Sequence, residues 1–201
     1  MKRNEWSRKQ FLKQFGGAAV GVTVSQLAIF GSHSTTAPEK TELLPLSVDG
    51  GALKSAFDKA SDRPRLLGIF SPTCANCLKV CSDIQDVLSR NPNEYLKVFV
   101  LWAPYGERDN IGLGIQDAGT YLADPRVTHF WDMWRFGSRA FSPKLRVPVT
   151  HTWDLIIFYD SGVVWKDPVP NYSSWMQNKN LRTGSPYSKK GFEARFKKWL
   201  E

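Results

Sequence analysis

The chain has 201 residues, of which 42% are hydrophobic and 23% charged, and its formal net charge is +8. These proportions are ordinary for a globular protein, so they exclude wholesale disorder and allow one domain with an extension. Half of the excess positive charge lies in residues 1–37, and the remainder is spread along the chain. Because no concentrated basic face accompanies a known nucleic-acid-binding module, we expect no nucleic acid partner.

Residues 1–37 are predicted to be an export signal or an N-terminal membrane anchor. Residues 7–13 (SRKQFLK) resemble the twin-arginine signal, S-R-R-x-F-L-K, with Lys9 in place of the second arginine. The weakly hydrophobic stretch that follows, 15–30, is short for a membrane span, which needs ~20 residues. The alternative is an amphipathic helix of the folded domain. His33 has no expected role, and residues 38–49 are predicted to be a linker.

The folded domain is predicted over residues 50–201. Hydrophobic spacing indicates, in chain order, a helix at 51–60, a strand at 65–70, a helix at 75–89, a strand at 96–102, a helix at 109–122, a strand within 124–132, a helix at 134–141, strands at 154–159 and 163–166, and a helix at 189–200. The turn at 160–162 predicts a hairpin between the last two strands. This order predicts an α/β domain with a central mixed sheet flanked by helices.

All three cysteines, Cys74, Cys77 and Cys81, lie within eight residues and follow the strand at 65–70. A structural disulfide framework spreads its cysteines along the chain, so this clustering indicates a redox or metal site. A helix N-terminus stabilises the thiolate of a cysteine placed there. We therefore expect Cys74 to be the exposed nucleophile and Cys77, one turn later, to resolve a mixed disulfide formed on Cys74.

A strand, a turn and a C-x-x-C motif opening a helix resemble the layout of the thioredoxin-like superfamily, over about residues 50–201. The resemblance implies a thioredoxin-like fold and a thiol–disulfide oxidoreductase with a redox-active Cys74–Cys77 disulfide, protein thiols as partners and no other cofactor. It also implies a cis proline packed against the cysteines, which Pro148 matches; the alternative is an ordinary trans proline at a strand start. With the leader, it implies a periplasmic or otherwise extracytoplasmic location. The motif reads TCANC rather than the WCGPC of thioredoxin, so the direction of transfer stays open.

Cys81 has two interpretations. It is either a buried apolar residue of the core or a third thiol for redox chemistry or soft-metal binding. The second interpretation predicts a chaperone or sensor that binds Cu(I) or Hg(II) through Cys74, Cys77 and Cys81. The spacing from Cys77 to Cys81 resembles the C-x-x-x-C of SCO-type copper chaperones, which also use a distant histidine.

Two histidines are candidate partners of the cysteines. His129 lies among aromatic residues, so we expect it to be packed rather than ligating. His151 follows Pro148 closely and is a candidate for stabilising the Cys74 thiolate. A third hypothesis is a thioredoxin-like scaffold within a larger assembly, in which the cysteines are inert.

Overall fold

The computed structural model describes residues 41–147, 151–166, 168–177 and 184–201. In chain order, their helices and strands are β1 (Leu43–Pro45), α1 (Gly51–Lys59), β2 (Arg65–Phe70), α2 (Ala75–Arg90), β3 (Lys97–Trp102), α3 (Ile111–Tyr121), β4 (Val127–Trp131), α4 (Phe136–Lys144), β5 (Leu155–Tyr159), β6 (Ser174–Gln177), β7 (Ser185–Pro186) and α5 (Lys189–Leu200). None of these helices has the length and apolar character needed to span a bilayer. The predicted leader at 1–37 and Pro148 lie outside the described residues.

The strands of the described residues form one mixed sheet in the order β1-β4-β3-β2-β5-β6-β7. The first four strands in this order are parallel to one another. Strand β5 runs antiparallel to β2, and β6 runs antiparallel to β5. The parallel pair β2 and β3 is joined by α2, because parallel neighbours need a crossover connection rather than a tight turn. The predicted α/β fold with a central mixed sheet flanked by helices is confirmed.

Side chains on the two faces of the sheet enter separate hydrophobic cores. Leu66 and Phe70 of β2 pack with residues of α2, α3 and α5, whereas Leu67 and Ile69 pack with residues of α1 and α4. This alternation follows from the two-residue period of a strand. Since helices cover both faces, every residue of β2 and β5 is buried, as is typical of strands in the centre of an α/β sheet.

Helix α3 forms despite three glycines that weaken its sequence signal. One of them, Gly114, is buried where the helix approaches β1 and β4. A Cβ atom at this position would lie 2.9 Å from Cδ2 of Leu43 and 3.3 Å from Cζ3 of Trp131. Glycine therefore allows the helix to approach the sheet more closely than another residue would.

The structure differs from the predicted linker at 38–49, because β1 lies within that range. Strand β1 pairs in parallel with β4, with Leu43 opposite His129. Leu43 and Leu46 are buried in the two cores. These two apolar side chains anchor a segment whose polar and proline-rich composition favours a linker.

The predicted hairpin between 154–159 and 163–166 is wrong, because β5 pairs with β6 instead. After the turn, the chain is bound to α1 and to the start of β2. The carbonyl of Val163 accepts a hydrogen bond of 2.7 Å from the Arg65 guanidinium, and the backbone N–H of Trp165 donates to Asp58 at 2.6 Å. These contacts direct the segment away from the sheet, so the returning strand comes later in the chain.

His129 packs in the core at the junction of β3, β4 and the end of α3. Its Nδ1 accepts a hydrogen bond of 3.0 Å from Trp102 Nε1, and its Nε2 lies 2.9 Å from the carbonyl oxygen of Leu122. The two contacts fit a neutral ring with its proton on Nε2. Burial lowers the pKa of His129 to about 4.

We expect His129 to make stability fall as the solution becomes acidic. In the unfolded chain the imidazole has a pKa of about 6.5, so the unfolded state takes up the proton first and the stabilisation is lost between about pH 6.5 and pH 4. The loss should reach about 3 kcal/mol near pH 4. The measurement is the free energy of unfolding in urea, compared between the wild-type protein and His129→Leu at several pH values in this range. A difference in free energy of unfolding between wild type and His129→Leu that does not change with pH would contradict the prediction.

Candidate functional site

The ends of four central strands meet at one edge of the sheet. Phe70, Trp102 and Trp131 are aligned at the carboxyl ends of β2, β3 and β4. Leu155, the first residue of β5, lies opposite Ile69 at the same edge. Functional residues of α/β sheets collect at the carboxyl ends of parallel strands. The adjoining segments are 71–74, 103–110, 132–135 and 151–154.

Cys74 is the N-cap residue of α2. Its backbone is extended, and its sulfur accepts a hydrogen bond of 3.3 Å from the backbone N–H of Cys77. Its carbonyl accepts from the N–H of Leu78, the first intrahelical bond. The free N–H groups and the dipole of a helix N-terminus stabilise negative charge. The half-buried Cys74 sulfur therefore occupies the position in which a thiolate is favoured.

Cys77 and Cys81 are fully buried beneath Cys74. Burial raises the pKa of both thiols well above the usual value; for Cys77, contact with Cys74 and the negative charge of Asp154 act in the same direction. Both thiols are protonated at neutral pH as a result. Cys74 is the most exposed of the three cysteines, and the predicted difference in exposure between Cys74 and Cys77 agrees with the structure.

Asp154 is a site residue that the sequence analysis does not single out. It is buried, and its backbone has a φ of 66°, a left-handed conformation that aspartate tolerates better than most residues. Its N–H donates to the carbonyl of Ile69 at 2.7 Å, which fixes it next to β2. A carboxylate oxygen of Asp154 lies within 4.8 Å of the sulfurs of Cys74 and Cys77. Its signal in the sequence is an acidic residue directly before the apolar run of β5.

Asp109 joins the loop before Cys74 to the loop after β3. Its Oδ2 accepts hydrogen bonds from the Ser71 hydroxyl at 2.6 Å and from the N–H groups of Tyr105 and Gly106 at 2.8 and 2.7 Å. Its Oδ1 accepts from the N–H of Thr73 at 2.8 Å. Burial acts to raise the pKa of Asp109, but the hydrogen bonds from Ser71 and Thr73 outweigh it and hold the pKa below its usual value. Nothing in the sequence indicates this contact.

An aromatic pair lies between the loop after β3 and the segment before β5. The rings of Tyr105 and Trp153 stack with centroids 4.5 Å apart and an angle of 15° between their planes. The Tyr105 hydroxyl donates to the carbonyl of Thr152 at 3.4 Å. Burial raises the pKa of Tyr105, so this hydroxyl remains a donor at neutral pH. The pair fixes the position of the residues that precede Asp154.

One set of three side chains with metal-ligand atoms close together occurs in the described ranges, and it comprises Cys74, Cys77 and Asp154. Cys81 does not belong to it, although the predicted soft-metal site includes this residue. His129 and His151 do not belong to it either. The burial of Cys81 in the core agrees with the first interpretation of this residue. The predicted contact of Pro148 with the cysteines lies outside the described residues.

The order of elements around the cysteines decides the fold. Strand β2 is followed by α2 with C-x-x-C at its start, then by the parallel strand β3 on one side of β2; β5 and β6 pair antiparallel on the other side, and α5 ends the chain. The fold is thioredoxin-like. Helix α3, strand β4 and helix α4 lie between β3 and β5 in the chain.

The chain is similar to solved structures of proteins described as disulfide oxidoreductases or as thioredoxin-like. A secreted disulfide oxidoreductase of Mycobacterium tuberculosis, described as homologous to E. coli DsbE, has a TM-score of 0.47 and 15% identity, covering 81% of this chain and 99% of that one. A thiol:disulfide interchange protein from Chlorobium tepidum has a TM-score of 0.45 and 12% identity, covering 78% and 91%. A thioredoxin-like protein from Aeropyrum pernix has a TM-score of 0.43 and 13% identity, covering 69% and 78%. No family model and no curated protein matches the chain.

The difference in burial predicts that one cysteine reacts in the folded protein. Brief treatment of the reduced native chain with iodoacetamide at neutral pH should add one carbamidomethyl group, on Cys74, because the thiolate is the reactive form and the other two thiols are buried and protonated. Intact-mass and peptide mass spectrometry measure the number and place of the adducts. The same treatment in concentrated guanidinium chloride is the control and should modify all three cysteines. Native labelling of Cys77 or Cys81 at the rate of Cys74 would contradict the prediction.

Proposed function

We propose that the protein is a thiol–disulfide oxidoreductase in which Cys74 is the nucleophile and Cys77 the resolving cysteine. The observation that carries the proposal is the position of the Cys74 sulfur as the N-cap of α2, above the buried Cys77. One sulfur is open to a substrate, and the second lies close enough to attack the first. A purely structural pair of thiols needs no such difference in exposure.

In the reducing direction, the Cys74 thiolate attacks one sulfur of a substrate disulfide. A bond forms between Cys74 and that sulfur, the substrate disulfide breaks, and its second sulfur leaves as a thiolate. Cys77 then loses its proton and attacks the Cys74 sulfur. This step breaks the mixed disulfide, releases the second substrate thiolate and leaves a Cys74–Cys77 disulfide. Two electrons pass from the cysteine pair to the substrate, and the reverse sequence oxidises a dithiol.

The second step requires a proton acceptor, because burial keeps the Cys77 thiol protonated. Asp154 is the carboxylate within 4.8 Å of this sulfur. We assign it the role of accepting the Cys77 proton when the mixed disulfide is resolved. Its buried position keeps the transferred proton away from bulk water.

The proposed setting is outside the bacterial cytoplasm, with protein thiols or disulfides as substrates. The support is the twin-arginine-like segment at 7–13 and the apolar stretch after it, which also allow an N-terminal membrane anchor. Pro148 is proposed to border the groove in which the substrate chain lies. The reduction potential of the recycling partner then sets the direction of electron flow.

Cysteine variants test the proposed roles through the reduction of insulin by dithiothreitol. Cys74→Ser should lose catalysis completely, because no other exposed thiol is present to form the mixed disulfide in the part of the chain that the structure describes. Cys77→Ser should accumulate a mixed disulfide with insulin, visible on a non-reducing gel. Cys81→Ser is the matched control and should retain wild-type turnover. Full activity of Cys74→Ser would rule out the mechanism.

A second candidate function is the binding of a thiolate-preferring metal ion by the reduced pair. The observation that favours it is the close approach of Cys74, Cys77 and Asp154, with one sulfur accessible. Thiolates are the donors that Cu(I) prefers, and ion binding would require loss of the Cys77 proton. In this candidate site the carboxylate of Asp154 takes the place of Cys81, the third ligand that the sequence predicts.

An anaerobic titration of the fully reduced protein with Cu(I) against a chromophoric competitor tests this candidate. We expect one equivalent to be retained by wild type and by Cys81→Ser, and none by Cys74→Ser or Cys77→Ser. If Cys81→Ser also retains no Cu(I), as expected for Cys74→Ser and Cys77→Ser, the result would support the site formed by all three cysteines. A wild-type protein that retains no Cu(I) would remove the second candidate and leave the oxidoreductase proposal intact.

A further inference from the structure

We propose that Asp109 is a positioning residue for thiol–disulfide exchange, because its carboxylate holds the loop that carries Cys74. This inference rests on the proposed oxidoreductase function and extends it to a residue that touches neither cysteine. Its basis is the set of four hydrogen bonds to the Asp109 carboxylate, two from each of two loops at the same edge of the sheet.

The hydrogen bonds of Asp109 restrain the turn immediately before the nucleophile. Ser71 and Thr73 both donate to the carboxylate. The carbonyl of Ser71 in turn accepts a hydrogen bond of 3.1 Å from the N–H of Cys74. The two ends of the turn are therefore fixed, and with them the point from which the Cys74 side chain extends.

The loop that supplies Asp109 is itself anchored on its other side. Tyr105 stacks on Trp153 and donates to the carbonyl of Thr152. Gly106 lies so close to the turn that a Cβ atom there would be 2.6 Å from Oγ1 of Thr73. Asp109 thus connects the Cys74 turn to a support that does not depend on the cysteines.

The bonding pattern requires a carboxylate rather than an amide. All four donors are N–H or O–H groups, and both oxygens of Asp109 accept. Asparagine has one acceptor oxygen and an NH2 group that would face a donor. Whichever way its amide is turned, Asp109→Asn therefore places an NH2 group against at least one N–H donor and loses that hydrogen bond, with little change in side-chain volume; it also removes one negative charge.

Releasing the turn should make the Cys74–Cys77 disulfide easier to reduce. The stability of an intramolecular disulfide depends on how closely the two sulfurs are held, and a loosened turn lowers their effective concentration. Removing a negative charge near the Cys74 turn favours the thiolate of the reduced form, which acts in the same direction. Ser71→Ala breaks one hydrogen bond without changing charge, and Glu107→Gln removes a charge from the same loop at an exposed side chain.

The decisive measurement is the equilibrium of the Cys74–Cys77 couple with reduced and oxidised glutathione, in the full chain. For Asp109→Asn we expect the equilibrium constant for disulfide formation to fall about tenfold, which is about 30 mV toward a less negative potential. Ser71→Ala should shift it the same way by a smaller factor, and Glu107→Gln should remain close to wild type. Circular dichroism checks that each variant is folded, and Ser71→Ala provides the test if Asp109→Asn does not fold.

Three results would overturn the inference, and they are distinguishable from one another. If Asp109→Asn and Ser71→Ala both have the wild-type equilibrium constant for disulfide formation, Asp109 has no positioning role, and the proposed function is unaffected. An equal shift in Glu107→Gln and Asp109→Asn would assign the effect to charge instead of position. A wild-type protein that forms no Cys74–Cys77 disulfide at any glutathione ratio would overturn the proposed function, and the inference with it.

Discussion

The structure depends on β2, the strand that pairs in parallel with β3 and in antiparallel with β5. Its carboxyl end leads directly to the turn before Cys74, and its antiparallel neighbour begins beside it. The register that places Ile69 opposite Leu155 therefore brings Asp154 next to the cysteines. A different register, or a different neighbour for β2, would leave the C-x-x-C motif without its carboxylate.

The different environments of the cysteines follow from ordinary helix geometry. Cys74 precedes the first turn of α2 and caps it with its sulfur, whereas Cys77 lies one turn into the helix on the side that packs against the sheet. Cys81, another turn along, continues the same buried face. Because α2 packs its apolar face on β2 and β3, one thiol remains accessible and two enter the core.

The segment between β3 and β5 contributes to the site from a distance in sequence. It adds α3 and β4 to the sheet, and the loop before α3 carries Asp109 and Tyr105. Asp109 contacts the turn before Cys74, and Tyr105 contacts the residues before Asp154. The two sides of the cysteine pair are in this way linked by one loop, whose hydrogen bonds and stacking hold both in a defined geometry.

Features that depend on a few neighbouring residues can be predicted from the sequence. The hydrophobic period of α2, the buried run of β2 and the place of Cys74 at a helix start depend on neighbours along the chain, and the structure agrees with them. Local sequence does not predict the contacts of Asp109 and Asp154, nor the pairing of β5 with β6. Ser71 and Asp109 are separated by 38 residues, and Leu43 pairs with His129, which lies much later in the chain. A carboxylate can accept hydrogen bonds, and an apolar side chain can be buried, at many positions in a domain. Which position it occupies depends on strand register and on the packing of the whole domain, so only the tertiary structure determines these contacts.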